Sequence, residues 1–350
     1  MRLLAPSWLP SRLAVCLSMP LMLLGVGGAS AHVKWFCAYD VAGQPRGLEQ
    51  VLCAEFEWLV GLSLVCLMAG CLMEGTPLGT YLLNALDRVT ARLRTDTTLL
   101  VRATLGFFFV SLWNLGGIIL TPELKTDLSW IPWLQLGIAM TLIWKQTLPL
   151  AALGIVFLFS FATFNYGAFH LADYPVFLGI AAYLTLVSFD RTLFGLRPLD
   201  VVRLSAAVTL MWASVEKWAY PHWTDPLLTA KPEMTMGFSN ELFMNAAGVI
   251  EFTLAFALIW TPLVRRMSAI ILAAVFVSAV IQFGKVDAIG HSGIIVVLLG
   301  IAADDARVAV RARTTMLVPA YYAAALACFL ALYYVGHAAL YGGLPAIPVT

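Results

Sequence analysis

The sequence is poor in charge: Asp, Glu, Lys and Arg make up 12% of its 350 residues, and the formal net charge is +1. Without a Lys/Arg block it lacks the electrostatic footprint of a nucleic-acid-binding chain. Its six cysteines and five histidines form no CxxC or HxxxH pattern. A CxxCH haem attachment, a cysteine set for an iron–sulfur cluster and a GxGxxG nucleotide loop are also missing. An electron-transfer role would therefore need a partner or another cofactor. What the chain has in abundance is apolar side chain, 61% hydrophobic with a mean hydropathy of +0.87. That is too apolar for a soluble domain and fits an all-α polytopic membrane protein whose first partner is the lipid bilayer.

Residues 1–31 carry Arg2 and Arg12, an apolar run from Leu13 and "ASA" at 29–31. A basic start, an apolar middle and small residues before the cut describe a secretory signal peptide, whose removal would leave His32 as the amino terminus. An uncleaved signal anchor is the alternative. Residues 32–56 then form an extracytoplasmic segment in which Cys37 and Cys53 can form a disulfide, whereas Cys66, Cys71 and Cys328 read as apolar fillers in helices.

Apolar segments near 57–73, 98–120, 129–146, 148–168, 173–190, 201–220, 241–262, 267–284, 289–303 and 315–337 predict ten spans. Arginines recur in alternate connections: Arg88, Arg92 and Arg94; Arg191 and Arg197; Arg265 and Arg266; Arg307, Arg311 and Arg313. The positive-inside tendency assigns these to the cytoplasm, so both mature termini face outward. The expected location is a bacterial inner (plasma) membrane. On this topology His32, His170, His222, His291 and His337 all fall at the outer face.

The chain also repeats itself. "LIWKQTLPLAALG" from 142 returns as "LIWTPLVRRMSAI" from 258, "VRATLGFFFVSLWN" at 101–114 as "VRLSAAVTLMWASV" at 202–215, and "LGIAA" occurs at 178–182 and 299–303. Two parallel four-helix units, 98–190 and 201–303, are therefore expected, flanked by spans at 57–73 and 315–337. Parallel repeats occur in transporters, but they also arise by duplication of a packing unit.

The second unit holds the informative polar residues. Glu216 and Lys217 sit at the outer end of a span among Trp212, Trp218, Tyr220 and Trp223, where aromatics serve as interface anchors and a lysine can snorkel to water. Glu251 lies inside the next apolar segment beside Gly248, and a buried carboxylate needs a partner, with Lys217 and Lys285 the candidates. Lys285, Asp287 and His291 cluster around an outer turn that reads either as a proton-handling pocket or as a solvated connection.

"RLSAAVTLMWASVEKW", "NAAGVIEFTLAFALIWTPLVRRMSAIILAAVFVSAVI" and "GHSGIIVVLLGIA" together resemble the DoxX family over about 201–303. The resemblance implies a four-helix module and, from some relatives, a link to quinone-dependent or other membrane redox systems. It carries over to Arg203, Lys217, Gly248 and Glu251; in the first unit Leu115, Gly116 and Gln135 stand where Glu216, Lys217 and Glu251 stand in the second. A weaker likeness to the membrane region of vitamin K-dependent carboxylases brings no matching motif for carboxylation.

Three functional classes remain open. In the first, Glu216, Lys217, Glu251, Lys285 and Asp287 handle protons while Trp212, Trp218, Tyr220 and Trp223 border a quinone site in a redox or other membrane complex. In the second, His32 with its free amine joins His170, His222 or His291 around copper or another metal, for binding or transport. The third is a structural subunit for assembly of a membrane complex.

Overall fold

The structure, a computed structural model, describes residues 33–307 and 315–342. The segment read as a signal peptide and His32 lie outside the described residues. The long helices are α1 (Ala54–Glu74), α2 (Pro77–Val89), α3 (Ala91–Leu115), α4 (Trp130–Thr141), α5 (Leu148–Tyr166), α6 (Pro175–Phe189), α7 (Pro198–Ala219), α8 (Asn240–Leu258), α9 (Pro262–Phe283), α10 (Lys285–Ala303) and α11 (Val318–Tyr341). The described residues form an all-α membrane protein in which eight helices are long and apolar enough to cross a bilayer.

Two of the ten expected spans, α4 and α6, are shorter than a usual membrane crossing. Both are helices at the expected places, but with 12 and 15 residues they reach only about 18 and 22 Å at 1.5 Å per residue, short of the ~30 Å of hydrocarbon. The connection after α1 also holds the unforeseen helix α2, whose leucines alternate with polar residues at helical spacing. The Cys37–Cys53 disulfide is corrected: both thiols are free. Cys53 is the residue that opens α1, whereas Cys37 lies in the amino-terminal segment beside the Leu227 backbone, so the two are held by different parts of the protein.

Local chemistry sets the helix ends. Proline begins α6, α7 and α9, where its missing N–H is one that a helix start leaves unpaired anyway. Gly116 and Gly284 close α3 and α9 at φ 66° and 78°, a region that a side chain would disfavour.

Eight of these helices form a closed circuit. Each of α3 to α10 packs on the next, and α10 returns to α3. Small residues bring the neighbours close: a Cβ on Gly179 of α6 would lie 1.7 Å from the Ser205 hydroxyl of α7, and one on Gly248 of α8 would lie 2.2 Å from the Trp218 indole nitrogen of α7. Helices α1 and α11 sit outside the circuit, against α8 and α9 and against α7 respectively. Their apolar stretches are 17% and 22% buried, against 61% for α7, α8 and α10, which therefore form the interior.

The internal repeat has a structural counterpart. Arg102 in the middle of α3 donates from Nε to the Leu142 carbonyl at the end of α4, 2.8 Å away. Arg203 at the start of α7 donates to the Leu258 carbonyl at the end of α8, 2.9 Å away. These arginines and leucines are paired by the two sequence alignments, and in each unit a guanidinium satisfies a carbonyl that the helix end leaves open.

The arginine-rich connections gather at one end. Arg197 bonds Asp200 and Asp304, Arg203 bonds Asp200, Arg265 lies 3.1 Å from Asp304, and Arg266 is bonded to Asp87. Asp200 and Glu216 are 16 residues apart on α7, about 24 Å along its axis. The second polar concentration thus lies across the apolar layer from the first.

Candidate functional site

At the outer end the amino-terminal segment folds back into the helices. Arg46 N–H donates to the Ala219 carbonyl, Tyr334 donates to the Arg46 carbonyl, and Tyr220 donates to the Gly43 carbonyl at 2.7 Å. This anchoring carries the turn Val33–Trp35 inward. Lys34, 4% exposed, places its Nζ 2.5 Å from Asp173 Oδ2 and 2.7 Å from Glu216 Oε1. The Tyr333 hydroxyl donates to the same Glu216 oxygen. Burial alone would lower the Lys34 pKa, but the charges of Asp173 and Glu216 outweigh it and hold the ammonium above its ordinary value.

A third buried carboxylate lies alongside. Glu123 accepts hydrogen bonds from the hydroxyls of Tyr174 and Thr121, and His170 Nε2 lies 3.8 Å away. Burial, and then the charge of Glu123, raise the Tyr174 pKa well above its ordinary value, so this phenol stays protonated and donates. Burial first and Glu123 second push Tyr39 up to about 12. The rings of Tyr39 and Trp223 lie 5.9 and 6.0 Å from Lys34 Nζ, giving the cation two aromatic faces.

Asp173 also faces a cavity. This pocket is lined by residues of α3, α6, α7, α8, α9 and α10, and its polar lining includes Thr121, Asp173, Tyr174, Lys217, Glu251 and His291. Lys217 Nζ bonds Glu251 Oε2 at 2.9 Å, with side-chain exposures of 8% and 17%. An ion pair at this depth meets the need of each charge for a partner, and two of the three ammonium donors remain beyond the Glu251 bond. His291 Nδ1 is 3.1 Å from Asp287 Oδ2 one turn away, and its ring lies between Trp35 and Phe276, with centroids 4.4 and 4.7 Å distant. Trp35 reaches this position over Gly290, where a Cβ would come within 2.3 Å of the indole.

A second cavity adjoins the first. The groove of about 1140 Å³ between α8, α9 and Leu59 of α1 is apolar apart from Glu251, and it shares Glu251 and Phe276 with the polar pocket. Ile250 and Phe238 on its margin are 48% and 55% exposed, so it opens on the lipid-facing side of the helices.

No family model, characterised protein or solved structure matches the chain. The chemistry must therefore be read from the residues themselves.

The structure separates several residues that sequence groups together. Glu216 and Lys217 are neighbours on α7 but turn to different partners, Lys34 and Glu251, because successive helical side chains point about 100° apart. Of the two lysines considered for Glu251, the structure joins Lys217. Lys285 is exposed, and Asp287 is fully buried against His291. Trp212, Trp218, Tyr220 and Trp223 line neither cavity. Trp212 packs on Phe169 and Tyr333, Trp218 on Gly248 and Phe252, and Tyr220 stacks on Trp223 at 4.1 Å. The metal candidates are dispersed: His222 is exposed, His170 lies beside the rings of Tyr39 and Tyr166, and His291 lies between Trp35 and Phe276. Among the described residues no three His, Cys, Asp or Glu side chains converge to hold a metal ion.

Lys34, Glu123, Asp173 and Tyr174 are the site residues that sequence reasoning missed. All four occur in connections and not in apolar runs, so helical periodicity carries no sign of them. The available signal was a lone lysine between aromatics in "HVKWFC" and acids beside proline in "TPELK" and "ADYPV".

Proposed function

We propose that the protein is a quinone-facing subunit of a bacterial inner-membrane redox system, DoxX-like over 201–303, with its site toward the outer face. The observation that carries this reading is the Lys217–Glu251 pair on the wall of a cavity that also presents Asp173, Tyr174 and His291. A quinone ring is flat and uncharged, carries two carbonyl acceptors and takes up two protons with two electrons. A donor fitted to such acceptors is present in Lys217, whose ammonium keeps N–H groups beyond its Glu251 bond; Phe108, Phe177 and Phe276 supply apolar ring contacts; Asp173 and Glu251 are the carboxyl groups able to exchange protons.

Electrons come from a partner subunit in this reading, because the chain carries none of the haem, iron–sulfur or nucleotide motifs. Its own residues bind and orient the ring and hold protons beside it. The buried Lys34–Asp173–Glu216 group adds a polar connection from Asp173 toward the outer end.

Binding of a short-chain benzoquinone to the purified protein tests this. Lys217→Met is expected to weaken binding at least tenfold, and Lys285→Met, at the exposed position, to leave it unchanged. In membranes with the redox partner present, Lys217→Met and Glu251→Gln should abolish the substrate-dependent change in quinone redox state. Equal binding by wild type and Lys217→Met would overturn the reading.

A further inference from the structure

We propose that the apolar groove between α8 and α9 holds the prenyl chain of the same ligand, which reaches its site sideways from the lipid past Glu251 and Phe276. This rests on the quinone reading of the polar pocket and goes beyond it by assigning a second binding site and a chain-bearing substrate class. The two cavities meet at one wall: Glu251 and Phe276 line both. On the pocket side Glu251 is bonded to Lys217; on the groove side it is the one charged group among Ala246, Ala247, Ile250, Leu254 and Leu272. Polarity therefore changes across a single side chain, as a ligand with a polar ring and an apolar tail requires.

The small side chains of Ala246 and Ala247 leave the groove deep, and Ile250 and Phe238 leave its mouth exposed toward lipid. Charge selects the kind of amphiphile. Asp173 and Glu251 on the pocket wall, with Glu216 behind Asp173, stand against two lysines, Lys34 and Lys217, so a fatty-acid carboxylate or a phospholipid phosphate would add a further negative charge. A neutral ring carries no such cost. The occupant that fits both halves is a prenylated quinone and not a fatty acid or a phospholipid.

The test compares benzoquinones with one ring and zero, one or two isoprene units, titrated calorimetrically into the full-length protein in detergent. Affinity should rise at least tenfold from the bare ring to the two-unit chain. Ala247→Trp, which fills the groove, should abolish that gain and leave the bare-ring affinity within about twofold of wild type. A ring that binds with no gain from the chain, or a gain that survives Ala247→Trp, overturns the groove while the quinone reading stands. Failure of both bare and prenylated rings to bind overturns the quinone reading itself. Should Ala247→Trp not fold, a two-unit quinone with a photoreactive terminal group settles the point on the wild-type protein: cross-links in 236–254 or 272–276 support the groove, and cross-links confined elsewhere overturn it. Displacement of the probe by equimolar oleate would also overturn the choice of occupant.

Discussion

Lys34 shows what a single side chain contributes when it is carried into the interior. It stands between Asp173 and Glu216, so its removal leaves two buried carboxylates facing each other without a cation. Lys34→Met is expected to destabilise the protein by about 3–5 kcal/mol, read as a lower midpoint of thermal unfolding in detergent. Combining it with Glu216→Gln should recover part of the loss by removing one of the stranded charges. An unchanged midpoint in Lys34→Met would show that the lysine is dispensable. The raised Lys34 pKa means that its contribution is complete below about pH 10.4, the ordinary lysine value, and is lost only as pH rises through the higher folded value. Lys34 also shows why this site was hard to read in advance. Before folding it is a lone lysine near an amino terminus, and its partner Asp173 is 139 residues away.

Among the elements, the most informative correspondence is a pair of arginines, one on α3 and one on α7. Arg102 and Arg203 each bond a carbonyl at the end of the following helix. Arg102→Gln and Arg203→Gln should each cost about 1–3 kcal/mol, the penalty of stripping a charged donor from a buried acceptor, measured by thermal or chemical unfolding. The repeat was legible because arginine in an apolar chain is rare and both the "VR" and the "LIW" segments recur, although their separation grows from 40 to 55 residues. The divergence at its outer end was also legible: Gln135 replaces Glu251 and Gly116 replaces Lys217. In the structure Gln135 donates to the carbonyls of Ile118 and Ile119 just beyond α3, where the second unit has its ion pair. At the inner ends Asp304 joins the connection after α6, the start of α9 and the end of α10 through Arg197 and Arg265. Burial would raise the Asp304 pKa, but hydrogen bonds from Arg197 and the charge of Arg265 more than offset it and hold it below the ordinary carboxylate value. Its stabilising contribution is therefore present above about pH 3.9 and lost as pH falls through the lower folded value. Acid unfolding should begin at higher pH in wild type than its neutral-pH stability alone would suggest, and Asp304→Asn should flatten that acid limb while lowering stability at pH 7.

For the whole molecule, closure of α3 to α10 into a circuit explains how a chain with so few charges assembles an interior polar site. The circuit puts the acids of the connections before α4 and α6, the outer end of α7 and the middle of α8 around one space. Its two ends should be reached from opposite sides of the membrane. Single cysteines at the exposed positions Asp127 and Phe194 are expected to react with an impermeant thiol reagent from the outer and inner side respectively, in a background without the native thiols. Labelling of both from one side would refute the topology. Sequence alone determined that the chain crosses membranes as helices, where most of them lie, that arginines mark alternate connections, and that one half echoes the other. These follow from transfer of apolar runs into lipid and from local charge, and need no knowledge of neighbours. Only the tertiary structure decided that α4 and α6 are short helices, that Cys37 and Cys53 are free thiols, that Glu216 and Lys217 serve different partners, and that Lys34 completes the buried group. Each of these depends on which surfaces meet when the helix circuit closes, and an ionisable residue in a connection carries no local mark of the partner it will meet there.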